Sequence, residues 1–355
     1  MTQTTKAAPI SALQRLKIDV ELTALARQRQ GMTPGIALFA LKVAQVGAKI
    51  TALLRQRGVN VATKAQPAAP QPGDGATPAH PQILDRAATL ALYPSGEERL
   101  TPARRQKDNN AAMAVLDAIK ARGEGAQATP EERAALAKYT GNGGNLVSKS
   151  GRKGSPYEYY TPKPIAQAAW GVLAELGFAG GKVLDPCAGT GIFSATRPEG
   201  VTVDAVELSD VSGGINQALN GNCTVAPFEE VASRTPEESY DAILTNVPFG
   251  DASMRGANAL KDPMHQGEDL EGYFLLRTMR KLKPGGLAAY ICPPRVVSGL
   301  GKKEQNVRYQ MSLMGEFIGA YRLPNSVFQL ATEADTITDL VVFRKHSREQ
   351  KAQID

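Results

Sequence analysis

The residues best suited to chemistry are Asn246, Val247, Pro248 and Phe249, in the string Thr245-Asn246-Val247-Pro248-Phe249-Gly250. An exocyclic amine on an aromatic base is a poor nucleophile because its lone pair is delocalised into the ring. Two acceptors on its hydrogens draw the nitrogen towards a tetrahedral geometry and aim the lone pair at a methyl donor. The Asn246 amide oxygen and the Val247 main-chain carbonyl form such a pair. Phe249 is spaced to stack on a base removed from its duplex, and Pro248 stiffens the turn. The same string also fits a plain strand-ending turn with Phe249 in the core.

A second string, Asp185-Pro186-Cys187-Ala188-Gly189-Thr190-Gly191, lies about sixty residues upstream. Gly189 and Gly191 lack Cβ atoms where the chain turns, so a nucleotide-like ligand could lie against bare backbone amides. Asp185 is the one charge in that string. A carboxylate suits a cationic group better than a pyrophosphate, which favours the sulfonium-bearing aminoacyl end of S-adenosylmethionine over a dinucleotide. Glu207 follows 22 residues after Asp185, where an acid can accept hydrogen bonds from both ribose hydroxyls. A strand-to-helix turn with a solvated acid is the plain alternative.

The elements that must position these residues are short apolar runs. Lys182 to Leu184, Thr202 to Leu208 and Tyr240 to Leu244 read as buried strands, so both strings should sit at the carboxyl edge of a parallel sheet, where such sheets bind ligands. Cys223 to Phe228 reads as a third strand, Leu287 to Cys292 as another, and Glu316 to Leu323 and Thr338 to Arg344 as the last two. Gly272 to Leu282 reads as a helix ended by Lys283-Pro284-Gly285-Gly286, and Asp251 to Glu271 as a loop beside the catalytic string that could hold substrate. Tyr157 to Pro164 leads into a helix through Ile165, Val172 and Leu176. Thr101-Pro102 opens a helix that stops at Gly123, and Thr129-Pro130-Glu131-Glu132 opens another.

Charge divides the chain further. Residues 1–64 hold ten Lys or Arg against Asp19 and Glu21, a balance of +8, while the whole chain carries +6. A basic arm on a near-neutral body is what contact with a phosphate backbone needs, although a solvated helical segment has the same composition. Residues 65–82, rich in Pro, Ala and Gly, read as a flexible linker. The expected organisation is a basic helical N-terminal region (1–64), that linker, a helical segment with a mobile basic loop (83–155), a catalytic domain (156–346) and a tail (347–355). In the loop from Thr140 to Ser155, Lys149, Arg152 and Lys153 are candidates for DNA contact. Lys42 and Lys49 interrupt the most apolar N-terminal run, so no membrane segment is expected. Three unpaired cysteines, Cys187, Cys223 and Cys292, suggest a reducing, cytoplasmic setting, and the scattered histidines give no metal site.

Taken together, DPCAGTG, the acid of VEL and NVPFG resemble the cofactor loop, ribose acid and catalytic loop of the amino-group (adenine) DNA methyltransferases, whose usual catalytic string is Asn-Pro-Pro-aromatic. Val247 departs from it, but the role at that position is a main-chain carbonyl. More narrowly, LAKYTGNGG at Leu136, YYTP at Tyr159, GYFLLRTMRKLKPGG at Gly272, IGAYRLPNSVF at Ile318 and TITDLVVFRK at Thr336 resemble the methyltransferase portion of phage and plasmid methyltransferase-helicase proteins, some of them antirestriction factors.

The resemblance implies a class I S-adenosylmethionine-dependent methyltransferase fold: a Rossmann-like, seven-stranded, mostly parallel α/β sheet with its last strand antiparallel, preceded by a helical region. It implies cofactor contacts from Tyr160, Thr161, Asp185, Ala188, Gly189, Gly191, Glu207, Phe228 and Asn246, with no metal. From the residues alone, the two tyrosines also fit a hydrophobic staple and Phe228 a core aromatic. The expected activity is methylation of adenine amines in DNA, with relaxed sequence specificity and a role in restriction-modification or antirestriction for a mobile element in a bacterial host. RNA or protein-glutamine methylation is the alternative within chemistry. A non-catalytic DNA-binding or packaging protein with a phage or plasmid partner is the alternative outside it.

Overall fold

A computed structural model describes residues 86–95, 99–141, 158–248, 258, 261–265, 268–323, 328 and 337–354. The basic region 1–64, the 65–82 linker, most of the Thr140 to Ser155 loop, Phe249, and Pro324 to Val327 lie outside them.

Seven strands form one sheet: β1 Gly181–Asp185, β2 Val201–Glu207, β3 Thr224–Val225, β4 Tyr240–Asn246, β5 Leu282–Cys292, β6 Gly315–Arg322 and β7 Asp339–Lys345, in the order β3-β2-β1-β4-β5-β7-β6. The pairs among the first five are parallel, and β7 runs antiparallel to both β5 and β6. The order reverses at β1, which has β2 on one side and β4 on the other, so the crevice for a ligand opens above the tips of β1 and β4.

Both faces of the sheet are covered, and the strands show it by strict alternation. Val183, Ala242, Leu244, Leu287, Ala289, Leu340 and Val342 enter one core layer, while Leu184, Ile243, Ala288, Tyr290, Val341 and Phe343 enter the other. That is why these strands read as continuous apolar runs. The helices described are α1 Arg86–Leu92, α2 Pro102–Ala121, α3 Pro130–Leu136, α4 Lys163–Glu175, α5 Ile192–Thr196, α6 Asp210–Asn220, α7 Phe228–Arg234, α8 Leu270–Lys281, α9 Arg295–Ser298, α10 Lys302–Met314 and α11 Arg348–Ile354. Thr101 caps α2 by accepting from the Arg104 amide, and Thr129 with Glu132 closes a capping box on α3, as their sequences predict. Tyr93, Ala112, Leu116, Ile119, Leu136 and Tyr139 share the first core layer with the sheet, so the helical segment before residue 141 packs directly on the catalytic fold.

Three expectations need correction. The strand expected from Cys223 to Phe228 is only Thr224–Val225, because Pro227 caps a helix that Phe228 opens. Helix α8 begins at Leu270 rather than Gly272, so the last residues of the expected Asp251 to Glu271 loop are helical. Lys283 to Gly286 does not separate helix from strand: it bulges inside β5, where Leu282 pairs with Tyr240 and Leu287 with Ala242, and Gly285 takes φ +77°.

Candidate active site

Adjacent strand tips bring the two strings together. Around them lies a cavity of about 370 Å³ whose lining includes Tyr160, Thr161, Ala188, Gly189, Glu207, Phe228, Asn246, Val247 and Pro248. Asp185 and Gly191 are close in sequence but do not line it, and Phe249 is outside the described residues.

The turn after β1 is held by the neighbouring strands. The Ala188 amide donates to the Val206 carbonyl (2.9 Å) and the Gly189 amide to Glu207 Oε2 (2.8 Å). Glu207 Oε1 accepts from the Ser209 amide (2.8 Å). Each carboxylate oxygen thus has one amide partner and keeps further acceptor capacity for a hydroxyl. Burial raises the Glu207 pKa, and hydrogen bonds from the Ser209, Gly189 and Leu208 amides oppose that rise.

The glycines have an internal reason for lacking side chains. At Gly189, with φ +52°, a Cβ would fall 2.6 Å from Tyr160 Cδ1. At Gly191, with φ +90°, it would fall 2.2 Å from Asn216 Oδ1. Clearance for a ligand, the expectation from sequence, therefore applies at most to Gly189, which lines the cavity while also seating the tyrosine.

Asp185 is fully buried beneath this turn. Its Oδ1 accepts weakly from the Cys187 amide (3.4 Å), and the nearby Thr245 hydroxyl acts to lower its pKa. Burial pushes its carboxyl up to about 7. The carboxylates that line the cavity are instead Glu158, Glu207 and Glu229, and no lysine or arginine among the described residues joins them. Such a lining suits a ligand with a cationic end and disfavours a pyrophosphate. Cys187 also lines the cavity, but burial drives its thiol well above the ordinary range, so it is a small apolar group there rather than a nucleophile.

At the tip of β4, the Asn246 amide nitrogen donates to the Tyr159 carbonyl (3.0 Å). That bond fixes which end of the amide is oxygen. Asn246 Oδ1 is buried without a hydrogen-bond partner among the described residues. A buried acceptor left unmatched is costly, and such groups cluster where a ligand supplies the missing donor. The Val247 amide donates to the Ile291 carbonyl (3.1 Å) and its side chain is buried, which anchors the turn that follows.

Phe228 combines both roles weighed for it: it lines the cavity and stacks on Phe274 with centroids 5.3 Å apart. Tyr160 rests on Gly189, and its hydroxyl bonds to Ser212 on α6. Other lining residues were not singled out from sequence: Glu158 directly precedes the YYTP string, Asn258 and Leu270 fall in the stretch expected as a substrate-side loop, and Phe274 falls in the GYFLLRTMRKLKPGG string. Tyr93 was also missed: its hydroxyl donates to the Thr190 carbonyl (2.5 Å) and accepts from Asn220 (2.9 Å), tying the end of α1 to the turn after β1. Among the described residues no group of three or more His, Cys, Asp or Glu could hold a metal ion, and no helix is long and apolar enough to cross a membrane.

Comparison with known proteins finds similar sequences and structures. Residues 216–355 match the family described as N-6 DNA Methylase, a span that contains Asn246 to Pro248 but not the turn after β1. Over 252 residues the chain is 40% identical to "Defense against restriction protein B" of Escherichia phage P1, covering 70% of this chain and 10% of that protein. The chain therefore spans about a tenth of that relative's length. Similar solved structures include one described as a class I S-adenosylmethionine-dependent methyltransferase from Listeria monocytogenes (14% identity, 94% of this chain, 88% of that chain, TM-score 0.46). A chain of a type I R-M system is also similar (14% identity, 95% of this chain, 75% of that chain, TM-score 0.44). S-adenosylmethionine is the cofactor this fold and the family match imply, and the cavity's acidic lining and paired Glu207 oxygens fit it. The chain has the class I S-adenosylmethionine-dependent methyltransferase fold, and its residues 216–355 carry the N-6 DNA methylase match.

Proposed function

We propose that this protein transfers a methyl group from S-adenosylmethionine to the exocyclic amine of adenine in DNA. The observation that carries this reading is the Asn246 amide: its nitrogen is tied to Tyr159, and its buried oxygen has no partner among the described residues, in a cavity shared with Gly189 and Glu207.

The cofactor, when bound, supplies the methyl on a sulfonium. Glu207 accepts hydrogen bonds from the ribose hydroxyls, and Phe228 offers its ring to the adenine end. Asn246 Oδ1 and the Val247 carbonyl accept the two amine hydrogens, localising the nitrogen lone pair. The N–C bond forms as the S–C bond breaks, and the amine then sheds one proton to solvent. Neither a covalent enzyme intermediate nor a metal is required. Phe249 would stack on the extruded base.

The likeness to "Defense against restriction protein B" supports a further part of the proposal, that the methylation shields DNA of a mobile element from restriction in a bacterial cytoplasm. Only about sixty residues separate the two strings, which leaves little room for a target-reading domain between them and supports relaxed sequence specificity. DNA phosphates would then be met by the basic region 1–64 and the loop 140–155, with the catalytic unit at 156–346. The test is methyl transfer from labelled cofactor to duplex DNA, RNA and protein side by side, followed by methylation-sensitive sequencing. Adenine-N6 labelling of DNA at many short contexts is expected. Labelling confined to RNA or protein refutes the substrate, and one long recognition sequence refutes the relaxed specificity.

A further inference from the structure

The tyrosine wall of the cofactor cavity is thin. Behind Tyr160 and Thr161 lies a second cleft of about 270 Å³, lined also by Tyr93, Arg104, Tyr139 and Lys163, and Thr190 and Ile192 border both spaces. A side chain with a cavity on either side is not held by packing alone, and the structure shows what fastens this one.

Two polar residues of α2 are sealed in the interior, Arg105 at 1% exposure and Asn109 at 0%. Asn109 Oδ1 accepts from the Thr140 amide (2.9 Å), and its Nδ2 donates to the Gly141 carbonyl (2.7 Å). The backbone N–H can only donate, so the amide orientation is unambiguous. Arg105 adds bonds to the same two residues, Nη2 to the Gly141 carbonyl (3.2 Å) and Nε to the Thr140 hydroxyl (3.3 Å). Gly141 is thereby pressed, at φ +76°, against the tyrosine wall: a Cβ there would sit 2.9 Å from Glu158 Cβ and 3.0 Å from Tyr160 Cε2. On its other side Tyr160 meets Gly189, and its hydroxyl reaches Ser212. A continuous line of contacts thus runs from α2 through Thr140 and Gly141 to Tyr160 and on to the turn after β1.

We infer that Asn109, assisted by Arg105, is a positioning residue for the cofactor: by clamping Thr140 and Gly141 it sets the Tyr160 wall against which S-adenosylmethionine is held. This rests on the cofactor reading above and extends the binding unit to the helical segment before residue 141. The fully buried amide is spent on the backbone of two residues 31 and 32 positions away, and the second of them, Gly141, lies directly against the wall.

Calorimetric titration of the full chain with S-adenosylhomocysteine tests it, because stoichiometry reports the folded fraction and Kd reports the pocket. Asn109→Ala is expected to weaken Kd by about ten-fold, the scale of one or two lost hydrogen bonds, at unchanged stoichiometry. Ile119→Ala, on the same helix and in the same core layer but away from Thr140, is expected to lower thermal stability and leave Kd unaltered. Gly141→Ala, which pushes on Tyr160 from the same side, carries the test if the Asn109 variant does not fold, with the same loss expected. A Kd within about two-fold of wild type in the folded variant overturns the inference, as does an equal weakening in Ile119→Ala. Failure of the wild-type protein to bind at all overturns instead the cofactor reading on which the inference stands.

Discussion

Replacing Asn246 by alanine separates the cost of the candidate active site from its benefit. Among the described residues the side chain contributes one bond, Nδ2 to the Tyr159 carbonyl at 3.0 Å, and carries one buried oxygen with no partner. Losing the bond costs about 0.5–1.5 kcal/mol, while removing an unmatched buried acceptor returns about 1–3 kcal/mol. These effects oppose each other at similar size, so the net change in folding stability should stay within about 1 kcal/mol, or about 2–4 °C in Tm for a domain of this size. Catalysis is not balanced in this way. Removing one preorganised hydrogen-bonding group from a transition state typically costs about 10²–10³ in rate. The assay pairs a thermal scan with single-turnover methyl transfer at saturating cofactor. Asn246→Ala should melt near wild type, bind S-adenosylhomocysteine, and transfer methyl groups at least about a hundred-fold more slowly. A variant that transfers within about three-fold of wild type, or one that melts more than about 8 °C lower, would refute the reasoning.

Other expectations follow from neighbouring features. Asp185 has a folded-state pKa of about 7 against an ordinary 3.8, so the native protein keeps a proton that the unfolded chain releases. This contribution is full below about pH 4 and is lost as pH rises through 7, so Asp185→Asn should gain stability relative to wild type between pH 5 and 8 in urea titrations. Parallel curves for the two proteins would contradict the burial argument. Asp262 lies buried against α8, accepting from Tyr273 (2.6 Å) and from Arg277 Nε (2.5 Å) on that helix. Asp262→Ala should cost about 3–5 kcal/mol, because the Arg277 side chain is only 5% exposed and keeps Glu237 as its remaining carboxylate partner. A urea-derived loss below about 1 kcal/mol would show that Glu237 suffices. Gly191→Ala forces a Cβ to 2.2 Å from Asn216 Oδ1 at φ +90°, and should lower stability by at least about 1 kcal/mol, read by the same titration.

The site was legible where chemistry follows directly from a strand end. Asp185 and Asn246 close β1 and β4, the two strands are parallel neighbours, and a short apolar run before a Gly- or Pro-containing turn is enough to place both strings at one edge. Local helix signals also held, since Thr101-Pro102 and Thr129 with Glu132 act within one turn. Phe228 was misread as strand because its apolar character dominates a window that Pro227 actually breaks. What sequence could not show were pairings between distant positions. Asn109 and Thr140, or Tyr93 and Asn220, meet only because helices pack on the sheet, and a buried polar residue looks the same as an exposed one until its partner is known. The glycines were identified as necessary, but for room that Tyr160 and Asn216 take within the protein.

The placement of β7 between β5 and β6 has a consequence for synthesis. As the chain leaves the ribosome, residues 315–322 emerge with no neighbour to pair with, and β5 has β4 on one edge only, because β6 and the other edge of β5 must wait for residues 339–345. Until then β5 exposes a long, unsatisfied apolar margin of the kind that captures other nascent chains. A stop or a nick ahead of Asp339 would therefore leave a product that still carries both chemical strings yet aggregates, so abundance would be lost before activity could be measured.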